Sequence, residues 1–153
     1  MLGLMDEMRV SATSDGSVAL ESLVADGVRN GTDVDAFATK SLHHADVLVW
    51  NYHDADEPAS GAPTSVKVRG IPLTVHRALV KNYRIDETHS NAYTVWKSMG
   101  KPQHPTTQQY EELQDNAGLQ LLESPVWRDV KDGQITIDTD MPRQAVSLLQ
   151  ITW

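Results

Sequence analysis

The spacing of apolar and polar residues predicts short β-strands over much of this chain. Residues 45–52 are mostly apolar and predict a central strand, while residues 65–69 alternate in the manner of a half-exposed strand. Further strands are predicted from residue 34 onward, within residues 73–85 as one or two strands, and over residues 145–153. Because turn signals separate these short segments, the pattern is typical of an antiparallel β-sandwich.

Turn residues define two of the connections. Residues 54–63 contain two prolines and a glycine with few apolar residues, and they predict a surface loop. The dipeptide Asp132-Gly133 lies between the strand-like segments 127–130 and 135–138. This arrangement predicts a tight hairpin that joins the two segments.

Helical periodicity is confined to short segments. Residues 18–28 predict a short helix that ends at Asn30-Gly31, and residues 91–99 predict another, capped by Ser90 and ended by Gly100. Residues 105–118 predict a third. The last two form helical insertions in one long connection. The predicted fold is therefore all-β, an antiparallel sandwich of immunoglobulin or fibronectin-III type with two short helical insertions.

The first residues carry a different pattern. Met1, Leu4, Met5 and Met8 are spaced i, i+3, i+4 and i+7, which predicts one apolar stripe of a helix. No N-cap precedes the stripe, so it is either the tail of a longer helix or a frayed start.

Composition narrows the possible partners. The 153 residues suit one domain, and a formal net charge of -8 at pH 7 repels phosphate backbones and anionic membrane surfaces. There is no cysteine, so disulfides give no sign of the compartment. The first residues are not typical of a signal peptide, and no apolar run has the length of a membrane span. We expect neither nucleic acid nor a membrane as a partner.

One group of potentially functional residues follows the central strand. His53 and Asp54 end it, Asp56 comes next, and His43 and His44 precede it. Histidine and aspartate can form metal sites. Their spacing here matches no known metal motif, so we predict a solvated acidic loop and no metal.

A second group lies in the polar segment 84–91. It contains Arg84, Asp86, Glu87, His89 and Asn91, just before a predicted helix. Carboxylates are favoured near a helix N-terminus, and arginine pairs well with them. The favoured interpretation is an ion-pair and capping network that fixes a corner, and the other is a catalytic or ligand-contacting role.

The large aromatic residues allow two interpretations. Aromatic rings can stack on sugars, but in strands and amphipathic helices they more often belong to the core, which we predict for each of them. They are Trp50, Tyr52, Tyr83, Tyr93, Trp96, Trp127 and Trp153.

Three stretches together resemble a known family. Residues 47–54, 83–103 and 142–149 are similar in order and spacing to the carboxy-terminal region of family 39 glycoside hydrolases. This family contains the β-xylosidases and α-L-iduronidase. The resemblance covers nearly the whole chain and implies that residues 1–10 are the remnant of the last barrel helix with its linker. Residues 11–153 would then be a β-sandwich accessory domain.

The resemblance also implies where the chemistry occurs. In this family a preceding (β/α)₈ barrel, a unit of roughly 250 residues, carries two catalytic carboxylates about 5–5.5 Å apart. The family's acid/base follows an asparagine, and this sequence contains no Asn-Glu pair. The implied function is accessory to retaining hydrolysis of terminal β-xylosyl units. The implied partners are the catalytic barrel and xylo-oligosaccharide, with no cofactor. Without the barrel, the stripe of residues 1–8 and part of the sandwich would form a bare apolar surface, which implies self-association. Arg84, Asp86, Glu87, His89 and Asn91 would face the barrel or the rim of its pocket, with His53 and Asp54 as loop candidates.

Two functions of other classes remain open. One is a free-standing carbohydrate-binding module, and the other is a small hydrolase built around Asp54, Asp86, Glu87 and His89. The sequence leaves open whether the chain is a natural short protein, a truncated gene product or a proteolytic fragment. It also leaves open whether the protein works in the bacterial cytoplasm or the periplasm.

Overall fold

The computed structural model describes residues 1–29, 31–55 and 57–153. Asn30 of the predicted helix end and Asp56 of the predicted loop lie outside the described residues. In chain order the elements are a 3-10 helix (Leu2–Leu4), β1 (Met8–Val10), α1 (Leu20–Asp26), β2 (Asp33–Lys40), β3 (His44–Tyr52), β4 (Ala62–Arg69), β5 (Arg77–Ile85), α2 (Ala92–Ser98), α3 (Thr107–Ala117), β6 (Gln120–Leu121), β7 (Val126–Asp129), β8 (Gln134–Met141) and β9 (Ala145–Thr152).

The strands form two antiparallel sheets. The larger has seven strands in the order β1-β2-β3-β9-β5-β6, with β7 also paired to β5, and the smaller is the β4-β8 pair. The predicted class, a β-sandwich with short helices, is confirmed. The predicted central strand is β3, which lies between β2 and β9 because its inward face is almost wholly apolar.

The core lies between the two sheets. Alternate residues of each strand point inward because successive side chains of a strand face opposite sides. Burying each large aliphatic side chain contributes about 1.5–3 kcal/mol. The core includes Val47, Val49, Val80, Ile135, Ile137, Met141, Leu149 and Ile151.

The predicted helices form, with one change of cap. The side chain of Asn91, not Ser90, caps α2 by accepting hydrogen bonds from the backbone N–H groups of Tyr93 and Thr94. Ser90 has a positive φ of 52° and so lies outside the cap position. Thr106 and Gln109 form a capping box on α3. Within the described ranges, no helix combines the length and apolar character needed to cross a membrane.

The predicted hairpin of residues 127–138 is limited to its turn, where Lys131 and Gln134 exchange two backbone hydrogen bonds of 2.9 Å, and the predicted pairing of the two strands is wrong. The turn Asp132-Gly133 exists, with φ values of 51° and 70°, but β7 pairs with β5 and β8 pairs with β4. Val130 and Ile135, on either side of the turn, are both buried in the core. The chain therefore passes from one sheet to the other here, because both apolar groups must reach the space between the sheets.

The predicted helical stripe over residues 1–8 is also wrong. Only Leu2–Leu4 are helical, as a short 3-10 helix, and Met8 belongs to β1, which pairs with β2 at the edge of the larger sheet. Eight residues are too few for periodicity to separate helix from strand, and the open edge of β2 decides the outcome. The domain boundary at residue 10 and the predicted self-association stay predictions.

Candidate functional site

The two predicted groups of polar residues come to the same end of the sandwich. Strands β3 and β5 both run antiparallel to β9 and flank it, so they run in the same direction. Asn51 on β3 and Ile85 on β5 lie opposite the neighbouring residues Ala145 and Val146 of β9. The segments that follow β3 and β5 therefore emerge about 10 Å apart, or two strand spacings.

Arg84 is the most buried charged group at this end, with only 1% of its surface exposed. Its Nε donates to Ser147 Oγ at 2.8 Å, and its Nη2 donates to Thr139 Oγ1 at 3.1 Å and to the Asp140 carbonyl at 2.9 Å. Burial lowers the pKa of the guanidinium, although the carboxylates of Asp86 and Asp140 oppose that shift. Because its donors reach β8 and β9, Arg84 joins the two sheets and does not point outward.

Asp86 is buried beside Arg84, with its Oδ2 3.6 Å from Nη1 of the guanidinium. Its Oδ1 accepts the backbone N–H groups of Thr88 and His89, each at 2.8 Å, and lies 3.0 Å from His89 Nδ1. Burial by itself raises the pKa of this carboxyl, but the hydrogen bonds from Thr88 and His89 outweigh it and hold the pKa below its usual range. The acceptor oxygens of Asp86 are thus engaged within the corner.

Asn91 and Ser90 complete the corner. Asn91 Nδ2 donates to the Asp86 carbonyl at 2.8 Å while its Oδ1 caps α2. The hydroxyl of Ser90 donates to the Arg84 carbonyl at 2.7 Å and accepts the Gln120 N–H at 2.8 Å. The geometry therefore matches the ion-pair and capping network predicted from the sequence. Glu87 is exposed, whereas His89 is partly exposed and keeps its Nδ1 on Asp86.

The partners of Arg84 could not be read from the sequence. Ser147 and Thr139 lie 63 and 55 residues away along the chain, and no local pattern links either of them to Arg84. Only the pairing of β5 with β9 and the position of β8 bring them to the guanidinium.

His53 and Asp54 form a separate anchor at the same end. The buried His53 accepts the Ala55 N–H at Nδ1, at 2.9 Å, and its Nε2 lies 3.3 Å from the Arg29 carbonyl. Asp54 Oδ2 accepts the Val28 N–H at 3.0 Å and lies 3.7 Å from Arg29 Nε. Both side chains therefore hold the segment that leaves α1. Among the described residues, no hydrogen bond or ion pair links them to the corner at residues 84–91.

The structure also shows a polar cluster that the sequence did not reveal. Asp6, His44 and Asp46, here called the β3-start cluster, lie near the other end of β3. His44 Nδ1 is 2.9 Å from Asp6 Oδ2, and His44 Nε2 is 3.3 Å from Asp46 Oδ1. The hydrogen bond from His44 holds the pKa of the Asp6 carboxyl below its usual range, against a smaller effect of burial. His44 is thus far from His53, at the opposite end of the same strand.

The prediction that every large aromatic residue belongs to the core is wrong for three of them. Tyr52, Tyr93 and Trp127 are all exposed, and Tyr93 stacks on Trp96 with ring centroids 5.6 Å apart. The other large aromatics are partly buried. Hydrogen bonds explain why two of these partly buried rings stay near the surface. Trp50 Nε1 donates to Asp33, and Trp96 Nε1 donates to the Pro102 carbonyl.

Comparison with known proteins gives the family. The family model for glycosyl hydrolases family 39 matches residues 1–137. The chain belongs to this family. A β-xylosidase of Geobacillus stearothermophilus is 30% identical over 104 residues, which are 68% of this chain and 19% of that protein. The predicted resemblance is confirmed, and the chain spans about a fifth of the curated β-xylosidase that it matches.

Solved structures of family 39 share the fold. A monomeric β-xylosidase from Caulobacter crescentus superposes on 99% of this chain and 29% of its own, with a TM-score of 0.71 and 18% identity. The GH39 enzyme from Xanthomonas axonopodis pv. citri covers 84% of this chain and 26% of its own, with a TM-score of 0.67 and 16% identity. Most of this chain therefore has the fold of a part of each of those two structures.

Proposed function

We propose that this chain is the accessory β-sandwich domain of a β-xylosidase-type glycoside hydrolase. The observation that carries the proposal is the superposition of 99% of this chain on 29% of a solved β-xylosidase chain. The parent reaction is retaining hydrolysis of terminal β-xylosyl units, with both catalytic carboxylates in a (β/α)₈ barrel. The sandwich packs on that barrel and stiffens it.

The electrostatics of the corner support an accessory role over a small hydrolase. A glycosidase needs a carboxylic acid that is protonated near neutral pH, and this requires a raised pKa. The pKa of Asp86 is lowered, and its oxygens already accept hydrogen bonds within the corner. Asp86 is therefore suited to holding the backbone and not to donating a proton to a glycosidic oxygen.

The outer face of the larger sheet offers a surface for the barrel. Trp50, Val146 and Ile85 lie in register across β3, β9 and β5, on the face away from the smaller sheet. Tyr52, also on this face, is 46% exposed, and Ile85 is 38% exposed. We propose that this apolar row docks on the barrel and that Glu87 and His89, at the adjacent corner, contact its loops.

Two measurements test the proposal. Purified chain should give no steady turnover of an aryl β-xyloside, and turnover that Asp86→Asn or His89→Ala abolishes would overturn it. Second, the chain should bind a β-xylosidase barrel prepared without its own sandwich domain. Tyr52→Asp should weaken this binding at least tenfold, whereas Leu73→Asp, at an exposed position near the opposite end of β5, should not. Equal binding by both variants would refute the proposed surface.

A specific observation favours carbohydrate binding as a second candidate function. Tyr93 is 60% exposed and stacks on Trp96, and Lys97 Nζ lies 4.9 Å from the centroid of the Tyr93 ring, so a sugar that stacks on the ring displaces the lysine. Exposed aromatic rings bind the apolar faces of sugars. Titration with a xylo-oligosaccharide should quench tryptophan fluorescence in the parent chain and not in Tyr93→Ala. No quenching at millimolar sugar would exclude this candidate.

A further inference from the structure

We infer that the β3-start cluster of Asp6, His44 and Asp46 binds a divalent transition-metal ion such as Zn²⁺. Each residue offers one ligand atom, and these atoms lie within 4.8 Å of one another. His44 Nε2 and Asp46 Oδ1 are 3.3 Å apart, which is close to the spacing of ligands around zinc, whereas Asp6 Oδ2 lies 2.9 Å from the other ring nitrogen, Nδ1. Bonds of about 2.0–2.1 Å in a tetrahedron place ligand atoms roughly 3.3 Å apart.

The charge balance of the cluster favours an ion. Asp46 is fully buried, and a buried carboxylate is costly unless hydrogen bonds or a cation compensate it. Among the described residues, His44 is the one basic side chain in ion-pair distance of Asp46, and it contacts Asp6 as well. A divalent ion carries the two positive charges that match the two carboxylates.

Neighbouring residues fix the side chain of Asp46 and leave the side chain of Asp6 free to move. Asp46 Oδ1 accepts Gln150 Nε2 at 3.2 Å, and Oδ2 accepts the Asp6 N–H at 2.9 Å and Thr39 Oγ1 at 3.4 Å. Such outer contacts orient a metal ligand. The two ring nitrogens of His44 now face different carboxylates, so an ion on Nε2 needs the Asp6 side chain to swing toward it. Asp6 is only half-buried, and its main-chain hydrogen bond to Asp46 keeps it near.

The donor set selects the class of metal. One imidazole nitrogen with two carboxylate oxygens suits Zn²⁺, Co²⁺ or Ni²⁺, and water completes the coordination. Mg²⁺ and Ca²⁺ prefer sites made of oxygen alone. Because Asp6 precedes β1, an edge strand of three residues, the ion would fasten the first segment of the chain to the larger sheet.

The test is a titration of EDTA-treated full chain with Zn²⁺, followed by calorimetry and thermal unfolding. We expect one Zn²⁺ per chain and a rise of several degrees in Tm, with no rise from Mg²⁺ at the same concentration. Replacing Zn²⁺ with Co²⁺ should give visible absorption bands of a four- or five-coordinate ion. An unchanged Tm without heat of binding would overturn the inference and leave His44 as a simple ion-pair partner.

Variants separate this site from surface histidines. His44→Ala should weaken Zn²⁺ binding at least tenfold, and the neighbouring exposed His43→Ala is the matched control that should not. Asp6→Asn changes a half-buried side chain, so this variant should fold even if Asp46→Asn does not. Asp6→Asn should also weaken Zn²⁺ binding. Equal loss in His43→Ala and His44→Ala would show adventitious binding and refute the site.

Discussion

Asp86 and Asp46 are two of the buried carboxylates of this domain, and they are compensated in different ways. Asp86 lies beside Arg84 and accepts backbone N–H groups of the next turn. Asp46 lies beside His44 and accepts side-chain hydrogen bonds from Thr39 and Gln150. The first depends mostly on local backbone, whereas the second depends on residues from three strands and from the segment before β1.

This difference shows which of the two carboxylates always faces a positive charge. A guanidinium does not lose its proton in proteins, so the charge that faces Asp86 is present at every physiological pH. An imidazole can be neutral or protonated, or it can bind a metal. The corner at residues 84–91 therefore keeps its counter-charge at every physiological pH, whereas in the β3-start cluster the inferred metal ion would supply it.

The largest effect should come from removing the guanidinium. Arg84→Leu leaves Asp86 buried without its cation and removes the link between the sheets, so we expect a loss of about 3–5 kcal/mol in the free energy of unfolding. Urea unfolding measures it. Arg69→Leu, an exposed arginine bonded to Gln134, is the control and should change stability by less than about 0.5 kcal/mol. Similar losses in both would show that Arg84 is not the permanent link described above.

The next effect concerns Asp86 and pH. Its folded-state pKa lies below the unfolded value of about 3.9, so its stabilisation is complete above that value and is lost as pH falls through the folded pKa. Asp86→Asn should cost about 1–3 kcal/mol at pH 7 and should flatten the stability curve below pH ~4. Unfolding measured from pH 7 down to 3 checks it. If the free energy of unfolding falls below pH ~4 in Asp86→Asn as it does in the parent chain, other carboxylates cause that fall.

A smaller effect should follow from losing the helix cap. Asn91→Ala removes the acceptor for the Tyr93 and Thr94 N–H groups and should cost about 1 kcal/mol. Thr106→Ala removes the corresponding cap of α3 and is the matched comparison. Asn91 also donates to the Asp86 carbonyl, so its loss should exceed that of Thr106. Equal losses would mean that the cap and the corner are not coupled.

The smallest effect on stability should come from replacing His89. His89 is partly exposed and Asp86 keeps its backbone donors without it, so His89→Ala should cost less than about 1 kcal/mol. The same substitution should weaken binding to the β-xylosidase barrel and leave the Zn²⁺ response unchanged. A loss of several kcal/mol in the isolated chain would instead make His89 part of the buried network.

The local sequence pattern was sufficient to predict those elements that depend mainly on their own residues. The apolar run of β3 and the stop at Gly100 after α2 could be predicted because each depends on near neighbours. The partner strands of β7 and β8 could not be predicted. Asp132-Gly133 forms the same tight turn whether the two flanking strands pair with each other or enter different sheets. The candidate site divides similarly, since the corner was predicted from contiguous residues and the β3-start cluster was not.

The sequence by itself determined the class of fold, the family and the presence of a polar corner before α2, because these follow from strand periodicity and from a contiguous run of motif residues. Tertiary structure alone decided that Arg84 is buried between two sheets, that residues 8–10 form an edge strand, and that Asp6 meets His44 and Asp46. Such contacts join residues tens of positions apart. They depend on which sheet each strand enters, and no local preference encodes that choice.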